Sequence, residues 1–154
     1  REEGLKLALG NDGFSNNMWA EWKAAYLLHK VANRDPRCAP GDFIAQMATQ
    51  TNARLAEVFF PGETIGRLVP GAVADVILVD YHPFTPLAEG NLPWHILFGF
   101  EASMVTTTIA AGRVLMRDRA LLTLDEAGIA AEARAYAPVV WEAYQRHVGQ
   151  ALRG

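Results

Sequence analysis

Leu7-Ala8-Leu9-Gly10-Asn11-Asp12-Gly13 is the stretch on which the reading of the fold turns. A short apolar run stops abruptly in Gly-Asn-Asp-Gly, so a carboxylate stands where a strand ends and the backbone must turn. In α/β barrels, the C-terminal ends of the strands carry the chemistry. Asn-Asp-Gly is also an ordinary turn sequence, and local sequence alone makes Asp12 a turn aspartate. It gains weight from two segments further along the chain: Ala48-Thr49-Gln50-Thr51-Asn52-Ala53-Arg54, and then Thr64 to Asp80.

Working outward, Leu5 to Leu9 is expected as a short strand. Ser15, Asn16 and Asn17 offer N-cap chemistry. Apolar residues then recur at helical spacing (Met18, Trp22, Ala25, Tyr26, Ala32), which predicts a helix that Asn33-Arg34-Asp35-Pro36 ends. Pro40-Gly41-Asp42 opens a second helix through about Gln50, and a third covers Asn52 to Val58. Phe60-Pro61-Gly62 and Pro70-Gly71 are turns. Ala74 to Val79 is a β-branched, near-continuous apolar run, expected to be a buried strand. His82 to Pro93 reads as an ordered loop, and Trp94 to Phe100 as a short helix. Met104 to Ala110 is a strand paired through Ala111-Gly112 with Arg113 to Met116. From Asp125 to about Leu152 a long helix is expected, kinked or split at Pro138. The organisation is thus strand, helices, small sheet and long helix, with a seam near Pro61-Gly62 where helices give way to strands.

The totals suit a protein with a real core. The chain has 154 residues, of which 51% are hydrophobic and 20% charged. A net charge of −3 supplies no basic field for nucleic acid or an anionic membrane. No apolar run approaches a membrane span. The single cysteine, Cys38, forms no internal disulfide and suits a reducing, cytoplasmic compartment. The chain opens at Arg1, close to a buried-looking run, as expected of a piece of something longer.

Taken in order, these segments resemble the C-terminal third of the metal-dependent amidohydrolases, in the chlorohydrolase and aminohydrolase branch, with SsnA-type aminohydrolases closest. The residues that carry the resemblance are Leu9-Gly10-Asn11-Asp12-Gly13, Ala48-Thr49 with Asn52-Ala53, and Ile65-Gly66-Arg67-Leu68 with Pro70-Gly71 and Ala74-Asp75. Asp80-Tyr81-His82-Pro83, His95-Ile96-Leu97-Phe98-Gly99, Ile109 to Val114 and Met116 to Arg119 continue the series. The resemblance implies an α/β fold: the end of a (β/α)8 barrel in 1–61, and the C-terminal strands of a small β-sandwich in 62–120. A helical segment, 121–154, completes the chain.

The resemblance also implies chemistry. Asp12 matches the aspartate that binds the catalytic metal and shuttles protons, so Asp12 is the expected catalytic and metal-binding residue. A divalent ion, zinc or iron, lowers the pKa of bound water toward about 7. A carboxylate beside that water can take its proton and pass it to a leaving amine. Ser15 and Asn16 come directly after the turn and are candidate substrate-binding residues, equally well helix caps. Asn11 departs from the family pattern, where Thr or Ser often stands.

The family's other ligands are histidines on earlier strands, including a His-x-His pair. Here there are only His29, His82, His95 and His147, and no such pair. About three protein ligands are needed for a catalytic zinc, so the isolated chain is expected to be inactive. His82 and His95 are read as structural or surface residues, and His29 as a partly buried core histidine. His147 suits a helix C-terminus. Trp19, Trp22 and Tyr26 are read as core or an oligomer contact rather than a ligand platform.

The leading expectation is thus the C-terminal part of a hydrolase of non-peptide C–N bonds, an aminohydrolase or deaminase of a small cyclic substrate. One alternative is hydrolysis of a C–Cl bond. The other is a non-catalytic assembly module, because half a barrel leaves apolar faces and strand edges that invite self-association.

Overall fold

The computed structural model describes residues 6–13 and 16–151. Residues up to Arg119 form one compact unit, and Ala120 onward a second. Helix α1 (Met18–Asn33) starts where Asn17 accepts hydrogen bonds from the backbone N–H groups of Trp19 and Ala20 on its side-chain oxygen. It stops where Arg34 turns left-handed, with φ of 52°, and donates its N–H back to Lys30 and Val31. Just beyond, Arg37 hydrogen-bonds Asp35 and holds its carboxyl below the usual carboxylate range.

Pro40 precedes α2 (Gly41–Gln46), which runs into a π-helical segment, Met47–Thr51, and then α3 (Asn52–Phe59). Thr49 donates its hydroxyl to the Ala45 carbonyl at 2.7 Å. Such a back-bond competes with the regular helix ladder, and it lies at the wide turn. Helix α4 (Leu92–Gly99) has Pro93 in its first turn, where a missing N–H costs nothing.

The core sits among these helices. Trp22 of α1, Ile44 and Ala45 of α2, Met47 of the π segment and Leu97 of α4 are buried together, and Leu9, Tyr26, Phe43 and Ile96 pack against them. Gly41 is required there: a Cβ would fall 2.7 Å from the Trp94 ring. Trp94 and Phe98 stack, and Tyr26 meets both edge-on. Of the aromatic residues of α1, Trp22 is core and Tyr26 packs against it, while Trp19 is half-buried and meets Phe100 edge-on. His29 is not core, because it faces solvent on the outer side of α1 beside Leu28 and Val31.

Strands β1 (Val76–Val79), β2 (Val105–Ala110) and β3 (Arg113–Arg117) form an antiparallel meander. Val76 faces Ile109, and Ile109 faces Val114. Ala111 and Gly112 join β2 to β3 with φ of 47° and 76°. Two consecutive positive values define the type I′ turn that matches strand twist. Asp75 fastens this turn from outside the hairpin, accepting the Ala111 N–H on its carboxylate at 2.7 Å.

Three expectations are corrected by the structure. Lys6 to Gly10 forms no helix or strand among the described residues, and Leu5 lies outside them. Strand β1 is not buried: Ile77 and Leu78 are 47% and 53% exposed. Consecutive side chains point to opposite faces of a strand, so both faces of β1 are partly open, and among the described residues it has β2 on one edge only. In the second unit, β4 (Ala120–Leu121) precedes α5 (Glu126–Ala151), which runs unbroken through Pro138. Asp125 receives the Gly128 N–H at its start.

Asp75→Ala should lower the urea midpoint, costing about 1 kcal/mol, while Asp75→Asn, which keeps an acceptor, should cost less. An unchanged midpoint for the alanine variant would remove Asp75 from the hairpin's support.

Candidate active-site segment

The segment that carries Asp12 is anchored at Leu9. Asn52 opens α3 with its side-chain amide directed at the Leu9 backbone. Its Oδ1 accepts the Leu9 N–H at 2.9 Å, and its Nδ2 donates to the Leu9 carbonyl at 2.8 Å. A side-chain amide thereby does for one residue what a neighbouring strand does for several. The Leu9 side chain simultaneously packs against the core cluster. Backbone and side chain of Leu9 are both fixed, three residues before Asp12.

The π-helical segment sets where Asn52 points. The Asn52 N–H bonds the Met47 carbonyl five residues back instead of four. Such a wide turn re-aims the residues after it, and π segments recur at functional sites.

Beyond the anchor, Asp12 adopts φ of 50° in an exposed turn. That conformation is uncommon outside glycine and is tolerated by Asp and Asn. Its carboxylate makes no hydrogen bond to a described residue. An unengaged carboxylate is a donor that a divalent cation accepts. Among the described residues, no three His, Cys, Asp or Glu side chains cluster to hold a metal.

Asn16 is exposed, and its side-chain oxygen accepts from Asn11 Nδ2 at 3.4 Å, bridging the turn. Ser15 lies outside the described residues. Asn17, rather than Asn16, caps α1.

The four histidines stand elsewhere. His95 meets the Tyr81 hydroxyl at 2.8 Å, and His82 meets Asp80 at 2.9 Å. Asp80 also pairs with Arg119 at 3.3 Å, so it ties the end of β1 to the turn after β3. His29 and His147 are exposed. In the sequence, Asn52 stands out only as part of a family pattern. An amide at a helix start, a position that gains nothing from helix propensity, is the one local signal of its role.

The sequence profile of the amidohydrolase family matches residues 1–115. Over 136 residues the chain is 38% identical to the 5-methylthioadenosine/S-adenosylhomocysteine deaminase of Dictyoglomus thermophilum, covering 86% of this chain and 31% of that protein. It is 34% identical over 139 residues to the 5'-deoxyadenosine deaminase of Methanosarcina mazei, with the same two coverages, 86% and 31%. The chain therefore spans about a third of the length of these curated relatives.

Among solved structures, a zinc-bound adenosine deaminase from Xanthomonas campestris superposes with a TM-score of 0.73 at 24% identity, over 92% of this chain and 32% of that one. An atrazine chlorohydrolase from Arthrobacter aurescens, complexed with zinc and atraton, gives a TM-score of 0.64 at 18% identity, over 87% and 30%. These likenesses establish the expected fold, part of an amidohydrolase barrel with strands of the adjoining small sheet domain.

Asn52→Leu should release the Leu9 amide to fast hydrogen exchange and cost about 1–3 kcal/mol, because both Leu9 backbone groups lose their partner. Asn52→Asp keeps the acceptor but sets a carboxylate against the Leu9 carbonyl, and should fall between wild type and Leu. A Leu9 amide that still exchanges slowly in Asn52→Leu would show that something else holds this segment.

Proposed function

The chain belongs to the amidohydrolase family, and from that premise we propose that it is the C-terminal part of a zinc-dependent aminohydrolase that deaminates a purine nucleoside. The carrying observation is the identity of 34–38% to relatives named as deaminases of 5-methylthioadenosine, S-adenosylhomocysteine and 5'-deoxyadenosine. The reaction consumes water, replaces the exocyclic C–N bond of the adenine ring with C=O, and releases ammonia.

In this reading, residues 1–61 close the barrel, 62–120 supply sandwich strands, and 121–154 form a separate helical segment. Asp12 is a metal ligand and proton carrier. A divalent metal held by Asp12 together with ligands from outside this sequence would lower the pKa of the attacking water. The Asp12 carboxylate takes a proton from the water side of the reaction and returns it to the departing amine. Asn52 is a positioning residue, since its hold on Leu9 limits where the Asp12 turn can travel. Ser15 and Asn16, three and four residues past Asp12, are the proposed substrate contacts of this chain.

Hydrolysis of a C–Cl bond is the second reading, supported by the chlorohydrolase likeness in fold. The deaminase reading is preferred because it rests on higher identity. No helix among the described residues is long and apolar enough to cross a membrane. Cytoplasmic location and the absence of nucleic-acid partners are proposed on the lone Cys38 and the net charge of −3. Self-association is proposed from Leu28 and Val31 of α1, 65% and 74% exposed, together with the open edge of β1.

In a polypeptide carrying this sequence after the remainder of the barrel, Asp12→Asn should lower ammonia release from 5'-deoxyadenosine by at least about a thousandfold and reduce zinc content, with the melting temperature retained. Near-normal turnover would refute the role of Asp12. The 154-residue chain assayed alone with zinc should release no ammonia; turnover there would refute the shared-site reading.

A further inference from the structure

A second site lies on the other side of the π-helical segment, away from the Asp12 turn in sequence. Gln50, Ala53, Arg54 and Glu57 stand at i, i+3, i+4 and i+7, so they share one face of the helical run. The chain returns across that face at Ile65, Gly66 and Arg67. Two contacts hold it there. Glu57 Oε1 accepts the Ile65 N–H at 3.2 Å. Gly66, with φ of 72°, presses so closely on α3 that an added Cβ would sit 2.9 Å from the Ala53 Cβ.

This crossing leaves a partly open cavity of about 400 Å³ whose lining includes Thr49, Gln50, Arg54, Glu57, Gly66 and Arg67. Neither guanidinium has an ion pair or hydrogen bond to a described residue, and the Gln50 amide has none either. The Thr49 hydroxyl is already committed to the Ala45 carbonyl, and Glu57 has one oxygen on the loop. What remains open is a donor set: two guanidinium forks, each with five N–H groups, and one amide. Two positive charges against one carboxylate leave the cavity cationic.

We propose that this cavity binds a small oxyanion, a carboxylate or a phosphate monoester group, between Arg54 and Arg67. The forks of arginine match planar and tetrahedral oxyanions bidentately, which a lysine pair would not. Gly66 makes the site possible, because it lets the loop lie close enough for Arg67 to face the same space as Arg54. Glu57 sets its limits: by holding Ile65 it fixes the loop, and its charge disfavours ligands with bulk or charge on that side.

The test uses the 154-residue chain with inorganic phosphate and, separately, succinate, each at constant ionic strength against chloride. Side-chain Nε–H resonances of Arg54 and Arg67 should shift saturably, and together. The probe that saturates at lower concentration identifies the preferred oxyanion. Arg54→Gln or Arg67→Gln should weaken binding at least about tenfold, as loss of a charged hydrogen-bonding group implies, and the double variant should abolish it. Gly66→Ala should weaken binding with both arginines intact. Shifts spread evenly over all arginines, no saturation with either probe, or affinity unchanged in the double variant would each overturn the proposal.

Discussion

The paired hydrogen bonds between Asn52 and Leu9 are the constraint on which the arrangement of this chain depends. A segment outside helix and sheet has no ladder of hydrogen bonds of its own, so its position is set by what its backbone meets. Here the partner of Leu9 is one side chain, 43 residues away in sequence. The same Leu9 packs its side chain against the helical core. The anchor therefore ties this segment to the start of α3, and it fixes the point from which the Gly10 to Gly13 turn departs.

That anchor depends on the helices behind it. The core of Trp22, Ile44, Ala45, Met47 and Leu97 joins α1, α2, the π segment and α4. The wide turn at Met47–Thr51 lets one continuous helical run serve two purposes: α2 packs inward while α3 directs Asn52 at Leu9. The side of α3 that carries Arg54 and Glu57 meets the returning loop at Gly66. One irregular turn thus sets both the anchor and the cavity, and a regular helix over the same residues would rotate α3 away from one of them.

Much of this is legible in the sequence, for identifiable reasons. Caps and turns depend on local chemistry, so Asn17, Pro40, Gly62 and the Ala111-Gly112 hairpin are readable from neighbouring residues. The features that are not legible depend on distant partners. Leu5 to Leu9 has the composition of a strand, but a strand needs a neighbour, and among the described residues the Leu9 backbone meets a side chain instead. Ala74 to Val79 has the composition of a buried strand, yet β1 has a described neighbour on one edge alone. His29 reads as a core residue because α1 is apolar on average, whereas the outer face of the helix also carries exposed Leu28 and Val31. Pro138 does not split α5, which continues as one helix past the missing hydrogen bond. Of the candidate site, Asp12 and its turn can be read from the sequence, but neither the anchor that holds them nor the arginine-lined cavity can.

The central claim is that Asp12 meets a metal while Asn52 holds Leu9. The direct measurement is a crystal structure, with zinc, of a longer polypeptide carrying this sequence. An Asp12 carboxylate oxygen at about 2.0–2.2 Å from the zinc, with both Asn52–Leu9 hydrogen bonds intact, is the predicted result. Zinc held without Asp12, or a Leu9 backbone paired to something other than Asn52, would contradict it.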